Sequence, residues 1–161
     1  MHRKRPRKRL RIRRQRLNLP TCGRQHAAVL ANLAEGQSDE LLVMSLIRAR
    51  FCDRLANIRG DKENPPAAFL TGLFSLVDAL LEQPLEELLA QLPLLPEIKT
   101  ALLENKGVLA DYLTVERTFE HGLWQQQTEL SSRMVPQNVD LNQVYFEAVE
   151  WGQRLLAVQQ H

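Results

Sequence analysis

The chain of 161 residues is predicted to fold as an all-α protein, on three observations. Leucine is abundant and β-branched residues are sparse, a composition that favours helices over strands. No segment alternates apolar and polar side chains as a half-buried strand would. Apolar side chains recur instead at helical spacing, between the proline, glycine and capping residues that begin and end helices. An apolar fraction of 44% is enough for a single core of ordinary size.

The net charge of +2 hides a sharp division between the start of the chain and the rest. Residues 1–16 hold 10 of the 21 lysines and arginines and no acidic residue, which leaves 11 basic against 19 acidic side chains in the remainder. So concentrated a charge repels itself and cannot bury apolar surface. The sequence therefore predicts a disordered basic arm and linker over 1–23 and a compact multi-helix domain over 24–161.

The first part of the helical domain contains three predicted helices. A short one ends before Gly36, and Ser38 can cap a second that runs to about Asn57. Asn64 and Pro65 begin the third. This third helix is apolar over so much of its circumference that we expect it to be the central helix of the domain.

Proline and capping residues divide the second part of the domain into four further helices. Pro84 and Pro96 each open a short helix, and Asn105–Gly107 closes the second of them. A loop over 131–138 separates the last two helices, and Asp140 can cap the final one. The seven predicted helices cover about Arg24–Ala34, Ser38–Asn57, Pro65–Glu82, 84–92, 96–104, Val108–Gln127 and 140–159.

The side chains that could support catalysis form no recognisable site. A hydrolytic metal centre needs several converging His and Asp ligands, but His2, His26, His121 and His161 are scattered and none precedes an aspartate. The chain has neither a GxSxG nucleophile elbow nor a glycine-rich phosphate loop. We therefore predict no catalytic, cofactor-binding or metal-ligating residue, and no enzyme activity.

The two cysteines indicate where the protein works. Cys22 and Cys52 form neither a disulfide framework nor a zinc signature, which is typical of the reducing cytoplasm. Cys52 lies on a predicted core helix and is expected to be a buried structural thiol. No apolar run reaches the roughly 18–20 residues that a membrane span needs. A cytoplasmic location follows from these two observations.

One acidic residue in the apolar third helix requires a partner. Asp78 would be costly to bury unpaired, and Arg50 and Arg54 lie four residues apart on the preceding helix. We predict a structural ion pair between these arginines and Asp78. In the alternative interpretation, Arg48, Arg50 and Arg54 form a docking or ligand surface.

Two segments carry a resemblance to a known family. RARFCDRLA, at 48–56, and AFLTGLFSLVDALL, at 68–81, together resemble the C-terminal half of the HD-related output domain (HDOD) found in EAL–HDOD cyclic-di-GMP signalling proteins. The resemblance covers about His26 to Trp124 and, more loosely, EAVEWGQRLLA near the end of the chain. It implies the helical scaffold of HD-type phosphohydrolases without their metal-binding His-Asp pair. The implied function is a non-catalytic signal-transduction and protein-interaction module.

The resemblance also carries two expectations about the rest of the protein. A full domain of this family has further helices upstream, and an EAL phosphodiesterase domain precedes it in the two-domain proteins. The arginine-rich arm is unlike the family, which suggests a truncated or frame-shifted gene product. Part of a helical domain leaves apolar surface uncovered, so we expect self-association or a protein partner.

The basic arm supports a second functional hypothesis. Its cations could bind nucleic acid by counterion release, and the absence of interleaved aromatic side chains would make that binding blind to sequence. The alternative is therefore a nucleic-acid-associated protein that binds through the arm. The contacting residues would be Arg3, Lys4, Arg5, Arg7, Lys8, Arg9, Arg11, Arg13, Arg14 and Arg16.

Overall fold

A computed structural model of the protein describes residues 39–61, 65–123 and 127–159. Over these residues the chain forms eight α-helices and no strand, which confirms the all-α prediction. The predicted basic arm, its linker and the helix over Arg24–Ala34 lie outside the described residues. The helices are α1 Asp39–Arg59, α2 Pro65–Phe74, α3 Val77–Leu81, α4 Leu85–Gln91, α5 Pro96–Glu104, α6 Val108–Glu120, α7 Gln127–Met134 and α8 Leu141–Gln159.

Helix α1 is the element around which the described helices pack. It contacts α2, α8, α6 and α3, and its side chains from Ala49 to Ala56 contribute much of the core. Phe51, Cys52 and Leu55 are fully buried. The sequence predicted that the helix beginning at Pro65 would be central, and this prediction is wrong. An apolar circumference indicates that a helix is buried, but it does not show which helix contacts the most others.

Two glycines allow other helices to approach α1 closely. A Cβ atom at Gly72 of α2 would lie 2.5 Å from the backbone nitrogen of Ala49 and from the carbonyl oxygen of Arg48. A Cβ atom at Gly152 of α8 would lie 2.9 Å from Cγ1 of Ile47. The α1–α2 contact is therefore a contact of backbone against backbone, which only glycine permits at this position.

The predicted helix over Pro65–Glu82 is divided in two, so that prediction is wrong in its extent. The hydroxyl of Ser75 donates a hydrogen bond of 2.7 Å to the carbonyl oxygen of Gly72. The backbone N–H of Ser75 also points to that oxygen, at 3.3 Å, in place of the usual α-helical bond. Leu76 then adopts φ −125° and ψ 14°, and α3 begins at Val77. Serine hydroxyls compete with the helical ladder in this way.

Most of the predicted helix ends in the second part of the chain are confirmed. Asn105 adopts the left-handed conformation after α5, and Asp140 Oδ1 accepts a hydrogen bond of 2.9 Å from the backbone N–H of Asn142 at the start of α8. The helix predicted over Val108–Gln127 ends earlier, at Glu120. The predicted loop over 131–138 starts too early, because residues 131–134 form the last turn of α7.

Candidate functional site

The most distinctive polar group of the described residues is a buried cluster around Arg48. Arg48 lies in the middle of α1, and only 7% of its surface is exposed. Its side chain reaches the turn between α2 and α3 on one side and α6 on the other. We call Arg48, Ser75, Glu116 and Glu120 the buried charge cluster. It joins three parts of the fold that are distant in sequence.

Glu120 is the main partner of Arg48. Nε of Arg48 donates to Oε1 of Glu120 at 2.8 Å, and Nη2 donates to Oε2 at 2.6 Å. These two parallel bonds form the bidentate arrangement that gives an arginine–carboxylate pair its strength and direction. The third nitrogen, Nη1, donates to the hydroxyl of Ser75 at 3.2 Å. Arg48 is thus bonded to α6 and to the helix break at the same time.

Glu116 is the second carboxyl group of the cluster, and its side chain is fully buried. It lies one turn before Glu120 on α6, with Oε2 3.5 Å from Nε of Arg48. Neither of its oxygens accepts a hydrogen bond. Burial, followed by the charge of Glu120, raises the pKa of Glu116 to about 9. The cluster therefore contains one cation and two acids, and the burial of Glu116 opposes its ionisation.

Aromatic side chains and a thiol surround the cluster. The rings of Phe119 and Tyr145 stack with centroids 5.2 Å apart, and Phe51 packs against both, at 5.4 Å and 5.8 Å. Burial, together with the nearby Glu116, raises the pKa of Cys52 and that of Tyr145. These neighbours keep the surroundings of the cluster apolar, which strengthens the bonds within it and penalises an unpaired charge.

The structure places the arginines of the predicted ion pair elsewhere. Nη1 of Arg50 lies 3.3 Å from Oδ2 of Asp53, and its guanidinium group lies 5.5 Å from the ring centroid of Trp151. Nη2 of Arg54 lies 3.7 Å from Oε2 of Glu147 on α8. Among the ion pairs between described residues, none involves Asp78. The buried bridge is instead made by Arg48.

Sequence reasoning missed Glu116 and Glu120, although a signal was present. Glu116 falls at helical spacing among the apolar side chains of α6, three residues after Leu113 and three before Phe119. A glutamate in the middle of an apolar stripe indicates a buried acid that needs a partner. Arg48 was recognised only as part of a possible surface, because its burial depends on the packing of α6 over α1.

The other candidate residues from the sequence are distributed as follows. Cys52 is buried and free, as expected, and His121 is exposed at the end of α6. Within 39–61, 65–123 and 127–159, no three His, Cys, Asp or Glu side chains are grouped to hold a metal ion. His2, His26, His161, Cys22 and the ten cations of the arm lie outside these ranges.

A cleft on the surface is a separate feature. Its volume is about 410 Å³, and it lies between the start of α5 and the start of α6. Lys106 stands at this cleft, but its ammonium group already pairs with Glu104 at 2.9 Å. The lining is formed by Pro96, Glu97, Thr100, Lys106, Gly107, Val108 and Leu109. The cleft is distinct from the buried charge cluster, of which it contains no residue.

Comparison with known proteins places this chain beside one segment of two longer proteins. It is 36% identical over 126 residues to a cyclic di-GMP phosphodiesterase of Vibrio cholerae, CdgJ. It is 31% identical over 127 residues to YuxH of Bacillus subtilis, an uncharacterized protein. The matches cover 78% and 79% of this chain but only 29% and 30% of the relatives. No family model matches the chain, and no solved structure gives a significant match.

Proposed function

We propose that this chain is a non-catalytic signal-transduction and protein-interaction module of cyclic-di-GMP signalling, equivalent to the C-terminal part of an HDOD domain. The similarity to a segment of the phosphodiesterase CdgJ is the observation that carries this proposal. The matched segment is under a third of that protein, so the similarity supports a shared module and not a shared complete enzyme.

The positions of the recognisable segments support this assignment. RARFCDRLA lies within α1, and AFLTGLFSLVDALL contains most of α2, the break at Ser75 and all of α3. These are the elements that the buried charge cluster and Gly72 join. The residues that resemble the HDOD family are therefore the ones that define the packing of the described helices, as expected when a resemblance concerns a scaffold.

The arrangement of the buried polar groups supports a non-catalytic role. Glu116 is fully buried, Arg48 is nearly so, and the strongest bonds of the cluster connect helices to one another. A catalytic acid or base must come within hydrogen-bond reach of its substrate. Groups enclosed between α1 and α6 are better suited to fixing the position of those helices than to contacting a nucleotide.

The proposal is tested by incubating the purified chain with cyclic di-GMP and Mg²⁺ or Mn²⁺ and measuring the products by chromatography. We expect no hydrolysis at any chain concentration. Turnover that rises in proportion to the chain and elutes with it in gel filtration would contradict the non-catalytic assignment.

A protein partner and a cytoplasmic location belong to the same proposal. Phe146 on α8 is 65% exposed, and other large apolar side chains are about half exposed. We propose that a protein partner or a second copy of the chain covers Phe146 and so removes its ring from water. Sedimentation of the purified chain tests for self-association: a stable monomer that binds no apolar dye would count against it.

No helix in the described part of the chain is both long and apolar enough to cross a membrane.

The arginine-rich arm supports a second candidate, a nucleic-acid-associated protein. The observation in its favour is the concentration of 10 cations within residues 1–16, against an acidic remainder. Binding to DNA by the full chain, steeply weakened by salt and abolished by deletion of residues 1–16, would support it. Equal binding by the deletion variant would exclude the arm as the contact.

A further inference from the structure

The geometry of the buried charge cluster leaves one carboxyl group without an ionic partner of its own. Arg48 makes both of its short carboxylate bonds to Glu120, at 2.8 Å and 2.6 Å. Glu116 is left at 3.5 Å from Nε of the same guanidinium group, and no N–H or hydroxyl donor bonds to either of its oxygens. Its remaining polar neighbour is the carboxyl of Glu120, with which a side-chain hydrogen bond forms when Glu116 carries a proton. Two ionised carboxylates beside one arginine would leave a net negative charge inside the core, which is strongly disfavoured.

We infer that Glu116 and Glu120 form a buried proton-binding site, in which the carboxyl of Glu116 holds a proton and donates it to the carboxylate of Glu120. An ionised carboxylate can only accept hydrogen bonds, so the proton on Glu116 provides the O–H donor that two ionised carboxylates would lack. The proton is then a component of the folded structure. The chain takes it up from solvent when it folds near pH 7 and releases it when it unfolds. The inference does not depend on the proposed signalling role.

The groups that face Glu116 from each neighbouring element support this arrangement. On α1 these are Arg48, which attracts a carboxylate but is already bonded to Glu120, and the thiol of Cys52. On α6 they are Glu120, which opposes ionisation, and Arg117, which favours it weakly. From α8, Tyr145 contributes an uncharged ring. Burial has the largest effect on Glu116, and together with these neighbouring charges it raises the pKa of Glu116 to about 9.

A proton fits this position better than a metal ion. Two carboxylates could in principle share a cation, but the guanidinium group of Arg48 lies within 2.6–3.5 Å of both and would repel a second positive charge. A proton neutralises one acid without displacing Arg48. It also requires no space beyond that of a hydrogen bond, and the surrounding side chains are closely packed.

The direction of the pH dependence follows from the raised pKa of Glu116. The unfolded chain loses this proton near the ordinary glutamate value of 4.5, and the folded chain loses it near 9. The stabilisation that this proton contributes is therefore fully present below about pH 4.5 and is lost as the pH rises from that value towards 9. Between these two pH values the folded chain binds one more proton than the unfolded chain. The folding equilibrium constant therefore decreases about tenfold for each pH unit.

The experiment compares the wild-type chain with Glu116→Gln by urea unfolding at several values between about pH 5.5 and 8.5. Glutamine keeps the shape and the hydrogen-bond donor but cannot ionise. We expect the wild-type equilibrium constant to fall by about tenfold per pH unit relative to Glu116→Gln. Glu150→Gln, which alters an exposed pair on α8, is the matched control and should retain the wild-type pH dependence.

Parallel pH profiles of the wild type and Glu116→Gln would overturn the proton site. A second measurement covers the case in which Glu116→Gln does not fold. In the ¹³C NMR titration of the wild-type glutamate carboxyls, we expect one that is still protonated at pH 7. If every glutamate carboxyl of the folded wild type titrates below about pH 6, where unperturbed glutamates ionise, the inference is also overturned.

Discussion

Arg48 donates two parallel hydrogen bonds to Glu120, a residue 72 positions further along the chain. The pair joins the middle of α1 to the end of α6, and its partner atoms are 2.8 Å and 2.6 Å apart. The same guanidinium group contacts Ser75 where α2 gives way to α3. One side chain thus connects α1 to α6 and to the turn between α2 and α3, and α1, α2 and α3 are the helices that carry the HDOD resemblance.

Replacement of Arg48 should severely destabilise the protein. Arg48→Met keeps the aliphatic stem but leaves Glu120 buried without a counter-charge, and we expect a loss of about 3–5 kcal/mol in the free energy of unfolding. Arg54→Met is the matched control, because its pair with Glu147 is half exposed and worth at most about 1 kcal/mol. Urea denaturation of both variants measures the difference. Equal losses would show that Arg48 is not the buried bridge.

Replacement of Asp78 should have a small effect. The ion pair that the sequence predicts for Asp78 implies a marked loss of stability for Asp78→Ala, because the substitution would leave buried arginine partners unpaired. The described residues include no ion pair of Asp78. We now expect a loss of no more than about 1 kcal/mol, as for a side chain outside the core. A loss comparable to that of Arg48→Met, measured by thermal unfolding, would show that Asp78 is paired within the core.

Gly72→Ala should be more harmful than Gly152→Ala. The methyl group at Gly72 would meet backbone atoms of α1 at 2.5 Å, so the two helices must separate. At Gly152 the first contact is the side chain of Ile47, which can adjust. We expect the first variant to lose about 1–3 kcal/mol or more, and the second to lose distinctly less. Guanidinium denaturation provides the comparison, and the reverse order would contradict the close approach of α2 to α1.

Cys52 should be unreactive until the protein opens. Its thiol is fully buried, and burial raises its pKa, so little thiolate is available at pH 8. In a Cys22→Ser background, we expect a thiol reagent to modify the folded chain on the order of a hundredfold or more slowly than the urea-unfolded chain. Similar rates in the two states would mean that the core around α1 is open.

The sequence predicted helix ends better than tertiary contacts, for a physical reason. Asp140, Pro96 and Asn105 act through their own backbone neighbourhood, so local rules were sufficient to place the ends of α5 and the start of α8. The break at Ser75 was missed because a serine within an apolar helix need not interrupt it, and here its hydroxyl both donates to Gly72 and accepts a hydrogen bond from Arg48 of another helix. No spacing within the segment indicates that contact.

The same reason explains what was missed at the candidate site. Arg50, Arg54 and Asp78 were paired by their positions on neighbouring predicted helices, whereas the acidic partners of Arg48 lie on α6, a helix distant in sequence. Glu116 was missed although it interrupts the apolar stripe of its helix. Its significance depends on the arginine that packs against it.

We propose that this chain is equivalent to a regulatory segment of a cyclic di-GMP phosphodiesterase, and exchange of that segment in CdgJ provides the test. The segment of CdgJ that the chain matches is replaced by the matching residues of this chain, and the rate of cyclic di-GMP hydrolysis is measured beside that of CdgJ lacking the segment. We predict that deletion changes the rate and that the transplant restores it to within a factor of about three, a difference of under ~1 kcal/mol. A transplant that behaves like the deletion, or a deletion without effect, would contradict the claim.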